Sequence, residues 1–136
     1  MIIKLCYKEY PFKMSIGAIK EFKQSTGLDL WYLLLSFLEA YHDSAAMDKL
    51  ARARYLSSIL DFEDAAVLLH TIIRQEDKSI PLEEIQDAMF RVGWLSNEST
   101  TDMSEPYPMI LVKVAFDVDD YFKELTVKKK ITTLAG

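Results

Sequence analysis

Helical periodicity is the feature that most constrains this chain. From Ser15 onward, successive segments carry apolar residues at every third or fourth position, the spacing of an amphipathic α-helix. Three of these segments open on a side chain suited to capping a helix N-terminus, namely Ser15, Asp29 and Asp61, and a fourth opens with Pro81. Gly27 offers a C-terminal stop after the first segment. The pattern predicts a mainly α fold, a compact bundle of about five to six helices.

The first residues follow a different period. Apolar and polar residues alternate over residues 3–7 and again over residues 10–14, as in half-buried strands. This alternation predicts a short β-hairpin over residues 1–14, with Lys8-Glu9 as its turn. Cys6 falls inside the first run, where a small buried hydrophobic side chain is expected.

The chain is predicted to form a single domain, since 136 residues is a common domain length. Its predicted parts are a hairpin at 1–14, a helical core at 15–95, a polar loop at 96–106, an apolar helix at 107–126 and a frayed basic tail at 127–136. Residues 109–118 fit a strand as well as a helix. We favour the helix because DDYFKEL continues the helical period after them.

Composition excludes several classes of protein. The net charge of −5 gives no basic field and argues against nucleic acid as a partner. One cysteine excludes an internal disulfide and fits a reducing cytoplasm. No apolar run approaches the roughly 20 residues of a membrane span, and no secretory signal opens the chain. We therefore expect a cytoplasmic protein with no membrane partner.

No pattern of catalytic or metal-binding residues is present. His42 and His70 are far apart, and neither has a cysteine or second histidine at ligand spacing. No glycine-rich phosphate loop occurs, and the carboxylates fall at helix caps and on helix faces rather than in pairs. The sequence predicts no catalytic residue, no metal, no cofactor and no enzymatic activity.

Apolar surface is in excess. The segment LWYLLLSFLEAYH at 30–42 is apolar nearly all round, and the segment 106–125 is also rich in apolar residues. Together they exceed what the other helices can cover, which in a chain of this charge marks an interaction or oligomer interface. The alternative is that both segments are simply core, and for Trp31, Phe37, Leu111 and Val114 taken singly we favour the core. The candidate interface residues are Trp31, Tyr32, Leu35, Phe37, Leu111, Val114, Phe116, Val118 and Phe122.

The stretch KEYPFKMSIGAIKEFKQSTGLDLW resembles the tail assembly chaperones of long-tailed (siphovirus-type) phages and prophages. The likeness rests on Tyr10-Pro11-Phe12, the helix from Ser15 to Ser25, Thr26-Gly27 and the apolar segment from Leu28 to Leu38. DFEDAAVLLHTII and a short helix beginning Leu-Glu-Glu follow in the same order, so the resemblance covers residues 7–95.

This resemblance implies a non-catalytic phage protein. Its partners would be the tape measure protein, which it keeps soluble, and the tail tube protein, whose subunits polymerise around that client. It would act as a homo-oligomer in the host cell cytoplasm and be absent from the mature virion. The candidate interface residues would then bind the client, another subunit, or both. Two alternatives stay open: a small helical adaptor or regulator that binds a host protein or DNA, and an enzyme subunit whose site forms only with a partner.

Overall fold

The structure is a computed structural model that describes residues 1–92 and 106–135, with side chains described for 1–91 and 106–127. Within these ranges a two-stranded antiparallel sheet precedes six helices, which confirms the predicted fold class. The elements are β1 (Ile2–Leu5), β2 (Lys8–Pro11), α1 (Ile16–Thr26), α2 (Leu30–Asp43), α3 (Lys49–Ser57), α4 (Phe62–Arg74), α5 (Leu82–Val92) and α6 (Tyr107–Ala135). The predicted polar loop at 96–106 lies outside the described residues except for Pro106, which precedes α6.

The hairpin forms, but its turn is not where the sequence placed it. Leu5 pairs with Lys8, so Cys6 and Tyr7 make the turn and Lys8-Glu9 belongs to β2. Both turn residues have positive φ angles, 47° at Cys6 and 69° at Tyr7. A two-residue turn of this handedness matches the twist of the strands it joins. The prediction that Cys6 is buried in a strand is therefore wrong, because its side chain is only partly buried in the turn.

The predicted caps of the first helices are confirmed. The Ser15 hydroxyl accepts a hydrogen bond from the Ala18 N–H at 3.1 Å, and α1 ends at Gly27, whose φ is 77°. The Asp29 carboxylate accepts from the N–H groups of Trp31 and Tyr32 and opens α2. Each cap satisfies backbone donors that have no partner inside the helix.

Helices α3 and α4 each begin at an aspartate cap. Asp48 accepts from the Ala51 N–H and starts α3 at Lys49. Asp61 accepts from the Asp64 N–H at 2.8 Å and caps α4.

The core is one continuous cluster of buried apolar side chains, to which both strands and all six helices contribute. Helix α4 is its centre: seven of its side chains are buried, and it packs against α1, α5 and α6. The hairpin is fastened to α4 by the Lys13 N–H, which donates to the Ile72 carbonyl at 3.0 Å. On the other side α2 and α3 pack against α6.

Helix α6 settles the choice between helix and strand at 109–118 in favour of helix. Its N-terminal half is core, with Ile110, Leu111, Val112, Val114 and Ala115 all at most 5% exposed. The helix also continues past the predicted end at 126, since its backbone is helical to Ala135.

Candidate interaction surface

Helix α2 divides into an inner and an outer side. Leu30, Leu33, Leu34, Phe37 and Ala40 face the core. The opposite side carries three large apolar side chains in water: Trp31 is 41% exposed, Tyr32 68% and Leu35 50%. The nearly all-round apolar character of this helix therefore has two separate causes, a core face and an uncovered face.

Helix α6 contacts α2 beside this uncovered face. The Trp31 ring lies edge-on to the Phe122 ring, with centroids 5.6 Å apart. Ten residues along α2, the Tyr41 ring makes the same kind of contact with Phe116 at 5.5 Å. Since Trp31 near the start of α2 contacts the later residue of α6, the two helices run antiparallel. Edge-on aromatic pairs add to the stability expected from burial alone.

A groove runs between these two helices. We call it the α2–α6 groove, and it is lined by Trp31, Leu34, Leu35 and Leu38 from α2 and by Ala115, Val118, Asp119 and Phe122 from α6. Its volume is about 80 Å³. This is well below the roughly 300–1,000 Å³ of a site for a drug-sized ligand. The groove has room for one apolar side chain of a partner rather than for a small-molecule substrate.

The structure separates the nine predicted interface residues into two groups. The exposed group is Trp31, Tyr32, Leu35, Phe116 and Phe122. The buried group is Phe37, Leu111, Val114 and Val118. Members of the second group pack in the core of their own chain, so in this conformation a partner has no access to Phe37, Leu111 or Val114. Val118 is 5% exposed and forms part of the groove lining.

The sequence prediction did not include four residues of the groove, Leu34, Leu38, Ala115 and Asp119. A helical pattern was available to find two of them: Leu34 and Leu38 lie three and seven positions after Trp31, which places all three along one side of α2. Asp119 gives the groove its one charged lining side chain and pairs with Lys123 at 2.8 Å.

The C-terminal end of α2 is fixed by Arg52 of α3. The guanidinium lies 3.9 Å from the centroid of the Tyr41 ring. It also donates to the Tyr41 carbonyl oxygen at 2.8 Å and to the Ser44 hydroxyl at 3.1 Å. One cation thus satisfies an acceptor at the helix end and the buried hydroxyl of Ser44.

A polar cleft lies between α1 and α4, with Leu82 of α5 at its edge. The Arg74 guanidinium is 3.4 Å from a Glu21 carboxylate oxygen. The His70 Nε2 is 2.7 Å from the Ile80 carbonyl oxygen, so that nitrogen carries the proton. This contact ties α4 to the segment before α5 and gives His70 a structural role. In residues 1–92 and 106–135, no group of three or more His, Cys, Asp or Glu side chains is placed to hold a metal ion.

The hairpin and α5 are joined by one carboxylate. Glu84 accepts from the Tyr10 hydroxyl at 2.7 Å and from the Lys8 ammonium at 2.9 Å. The hydrogen bond from Tyr10, followed in size by the one from Lys8, holds the pKa of Glu84 below its usual range. Burial, reinforced by Glu84, raises the pKa of Tyr10. These two hydrogen bonds hold the hairpin against α5, which gives Glu84 and Tyr10 a structural role.

Comparison with known proteins gives no relative: no protein-family model, no curated protein and no solved structure matches this chain. Among the helices of the described residues, none combines the length and the hydrophobicity required to cross a membrane.

Proposed function

We propose that this chain is a non-catalytic chaperone that binds an apolar helical segment of another protein in the α2–α6 groove. In its specific form the proposal is a phage tail assembly chaperone whose client is the tape measure protein. The observation that carries it is the groove itself, an apolar site bordered by the exposed side chains of Trp31, Leu35 and Phe122.

The shape of the groove suits a helix as its occupant. Two antiparallel helices leave a furrow between them into which a third helix packs its own row of side chains. Trp31, Leu35 and Phe122 would flank that row, and the space between them accepts one apolar anchor residue. Recognition of this kind depends on apolar residues at helical spacing in the client, not on a unique sequence.

The charge of the chain supports a solubilising role. A protein that covers an apolar client must itself remain dissolved, and a net charge of −5 favours this. The sequence resemblance to tail assembly chaperones, over residues 7–95, includes the α2 wall of the groove. In this form of the proposal the chain also helps recruit the tail tube subunits that polymerise around the client.

The test is co-expression of the chain with a helical fragment of the tape measure protein encoded in the same genome. The amount of soluble fragment and its co-purification with the chain are measured. Leu35→Asp places a charge in the groove without entering the core, because Leu35 is 50% exposed. Phe90→Asp is the matched control, since Phe90 is 80% exposed on α5 and is not part of the groove lining.

We expect the wild type and Phe90→Asp to keep the fragment soluble and bound, and Leu35→Asp to lose both effects. Circular dichroism verifies that both variants fold. If the fragment stays soluble without the chain, or binds Leu35→Asp as well as the wild type, the proposal is wrong. Capture of DNA or of a defined host protein instead would favour the adaptor alternative.

A further inference from the structure

The polar cleft between α1 and α4 has the size of a small-molecule site, and we call it the α1–α4 cleft. Its volume is about 340 Å³, which falls within the roughly 300–1,000 Å³ of such sites. The α2–α6 groove, at about 80 Å³, does not reach this range. The two sites share no described lining residue, so a ligand of the cleft is independent of a client in the groove.

The cleft holds an acid and a base that are only loosely paired. The Arg74 Nη1 lies 3.4 Å from the Glu21 Oε2, and within the described residues neither side chain has another hydrogen bond. A guanidinium has several N–H donors and a carboxylate has a second oxygen, so both groups keep free binding capacity. The two side chains are 41% and 42% exposed, and an exposed pair of this length contributes little to stability. A charged ligand can therefore join or separate this pair at low cost.

Uncharged polar groups with free hydrogen-bonding capacity line the same cleft. Within residues 1–92 and 106–135, the Gln24 amide and the Ser25 hydroxyl have no hydrogen-bond partner. The His70 Nε2 donates to the Ile80 carbonyl, so the other ring nitrogen, Nδ1, is a free acceptor. A few polar groups of this kind fix the orientation of a small ligand in its site.

The apolar part of the cleft is small. It consists of Val67 of α4 and Leu82 of α5, both half-buried. A ligand that matches the whole cleft therefore carries an anionic group for Arg74, a cationic group for Glu21 and a short aliphatic group. An anion without an amine would lie beside the Glu21 carboxylate, and an amine without an anion would lie beside the Arg74 guanidinium. Like charges at such distances disfavour binding, so the cleft selects a zwitterion.

We propose that the α1–α4 cleft binds a free α-amino acid with a small aliphatic side chain. The ligand carboxylate accepts from the Arg74 guanidinium and the Gln24 amide, and the ligand ammonium donates to the Glu21 carboxylate and the His70 Nδ1. In an α-amino acid both charged groups are attached to one carbon, which suits partners as close together as Glu21 and Arg74. These are charge-assisted hydrogen bonds, the stronger class of such contacts.

The first experiment is isothermal titration calorimetry of the full chain with L-alanine, L-valine and L-leucine. Two analogues of valine each lack one charge: N-acetyl-L-valine has no ammonium, and L-valinamide has no carboxylate. We expect each analogue to bind about tenfold more weakly than valine, or worse. Glu21→Gln should weaken valine by a similar factor and leave N-acetyl-L-valine unchanged, whereas Arg74→Gln should weaken valine and leave L-valinamide unchanged.

Two further variants separate the cleft from the rest of the surface. Asp87→Asn with Arg91→Gln breaks another exposed ion pair, 3.0 Å long, on α5 outside the cleft lining, and should bind valine like the wild type. Ser25→Leu fills the cleft without changing any charge. Because Ser25 is exposed on α1, this variant should fold, which circular dichroism verifies, and should no longer bind valine.

A chain that binds none of the three amino acids overturns the proposal. So does valine binding that persists in Ser25→Leu, that is lost in the α5 control, or that the two analogues match. These results are independent of the α2–α6 groove. A chain that keeps the tape measure fragment soluble but binds no amino acid would overturn only this inference, whereas a chain that binds valine but not the fragment would overturn only the proposed function.

Discussion

Two residues that lie two positions apart in α2 test the division between core and surface. Phe37 is 0% exposed, whereas Leu35 is 50% exposed at the edge of the α2–α6 groove. Both positions are apolar, both lie inside one helix, and the sequence alone assigned both to the same interface. The structure predicts opposite effects when each is replaced by alanine.

Phe37→Ala removes a whole aromatic ring from a closed site. Such a substitution costs roughly 3–5 kcal/mol, the lost transfer energy of the ring together with the cavity that remains. A domain of this size has a free energy of unfolding of about 5–15 kcal/mol. The variant should therefore still fold, but with a much smaller free energy of unfolding. Leu35→Ala deletes atoms that are half in water and leaves a good helix former, so we expect a cost below about 1 kcal/mol.

The assay is urea unfolding followed by circular dichroism at low, matched protein concentration, because association would add to apparent stability. Client binding is measured on the same samples. Phe37→Ala should lose stability and, once folded, retain binding, whereas Leu35→Ala should retain stability and weaken binding. Equal destabilisation by the two substitutions would refute the assignment of Phe37 to the core and Leu35 to the surface.

Three further outcomes follow from local contacts. Asp29→Ala removes the cap of α2 and should lower the free energy of unfolding by about 1 kcal/mol, measured with urea. Replacing Cys6 by Asn and Tyr7 by Gly should raise the unfolding midpoint, because these residues suit the positive φ angles of the turn. Tyr10→Phe should cost roughly 0.5–1.5 kcal/mol at neutral pH by removing a hydrogen bond to Glu84. Since the folded pKa of Glu84 is lowered, that contribution is present above its unfolded pKa and is lost as the pH falls through the folded value. Urea titrations of wild type and Tyr10→Phe from neutral to acidic pH should therefore converge.

Local patterns in the sequence were sufficient for most of the fold. Ser15, Asp29 and Asp61 each act within three residues of their own position, and so the sequence around them determines the helix starts. Helical spacing also predicted that the segment after Pro106 would be a helix.

Features that depend on distant contacts were not accessible in the same way. Cys6-Tyr7 contains no glycine or asparagine, so nothing local marks it as a turn with positive φ. For α2, apolar residues occur on all sides, and the placement of the neighbouring helices α1, α3 and α6 decides that Phe37 is inside and Leu35 outside. The groove requires both helices, because Asp119 and Phe122 of α6 form part of the wall opposite α2.

The contacts of Arg52 have a thermodynamic consequence. With the Asp29 cap at one end of α2 and the Arg52 guanidinium on Tyr41 at the other, the α2 wall is preorganised before any partner arrives. Binding then requires little ordering of that wall, and the entropic cost falls mainly on the partner. A calorimetric comparison of wild type with Arg52→Ala should show this as a less favourable entropy of binding in the variant.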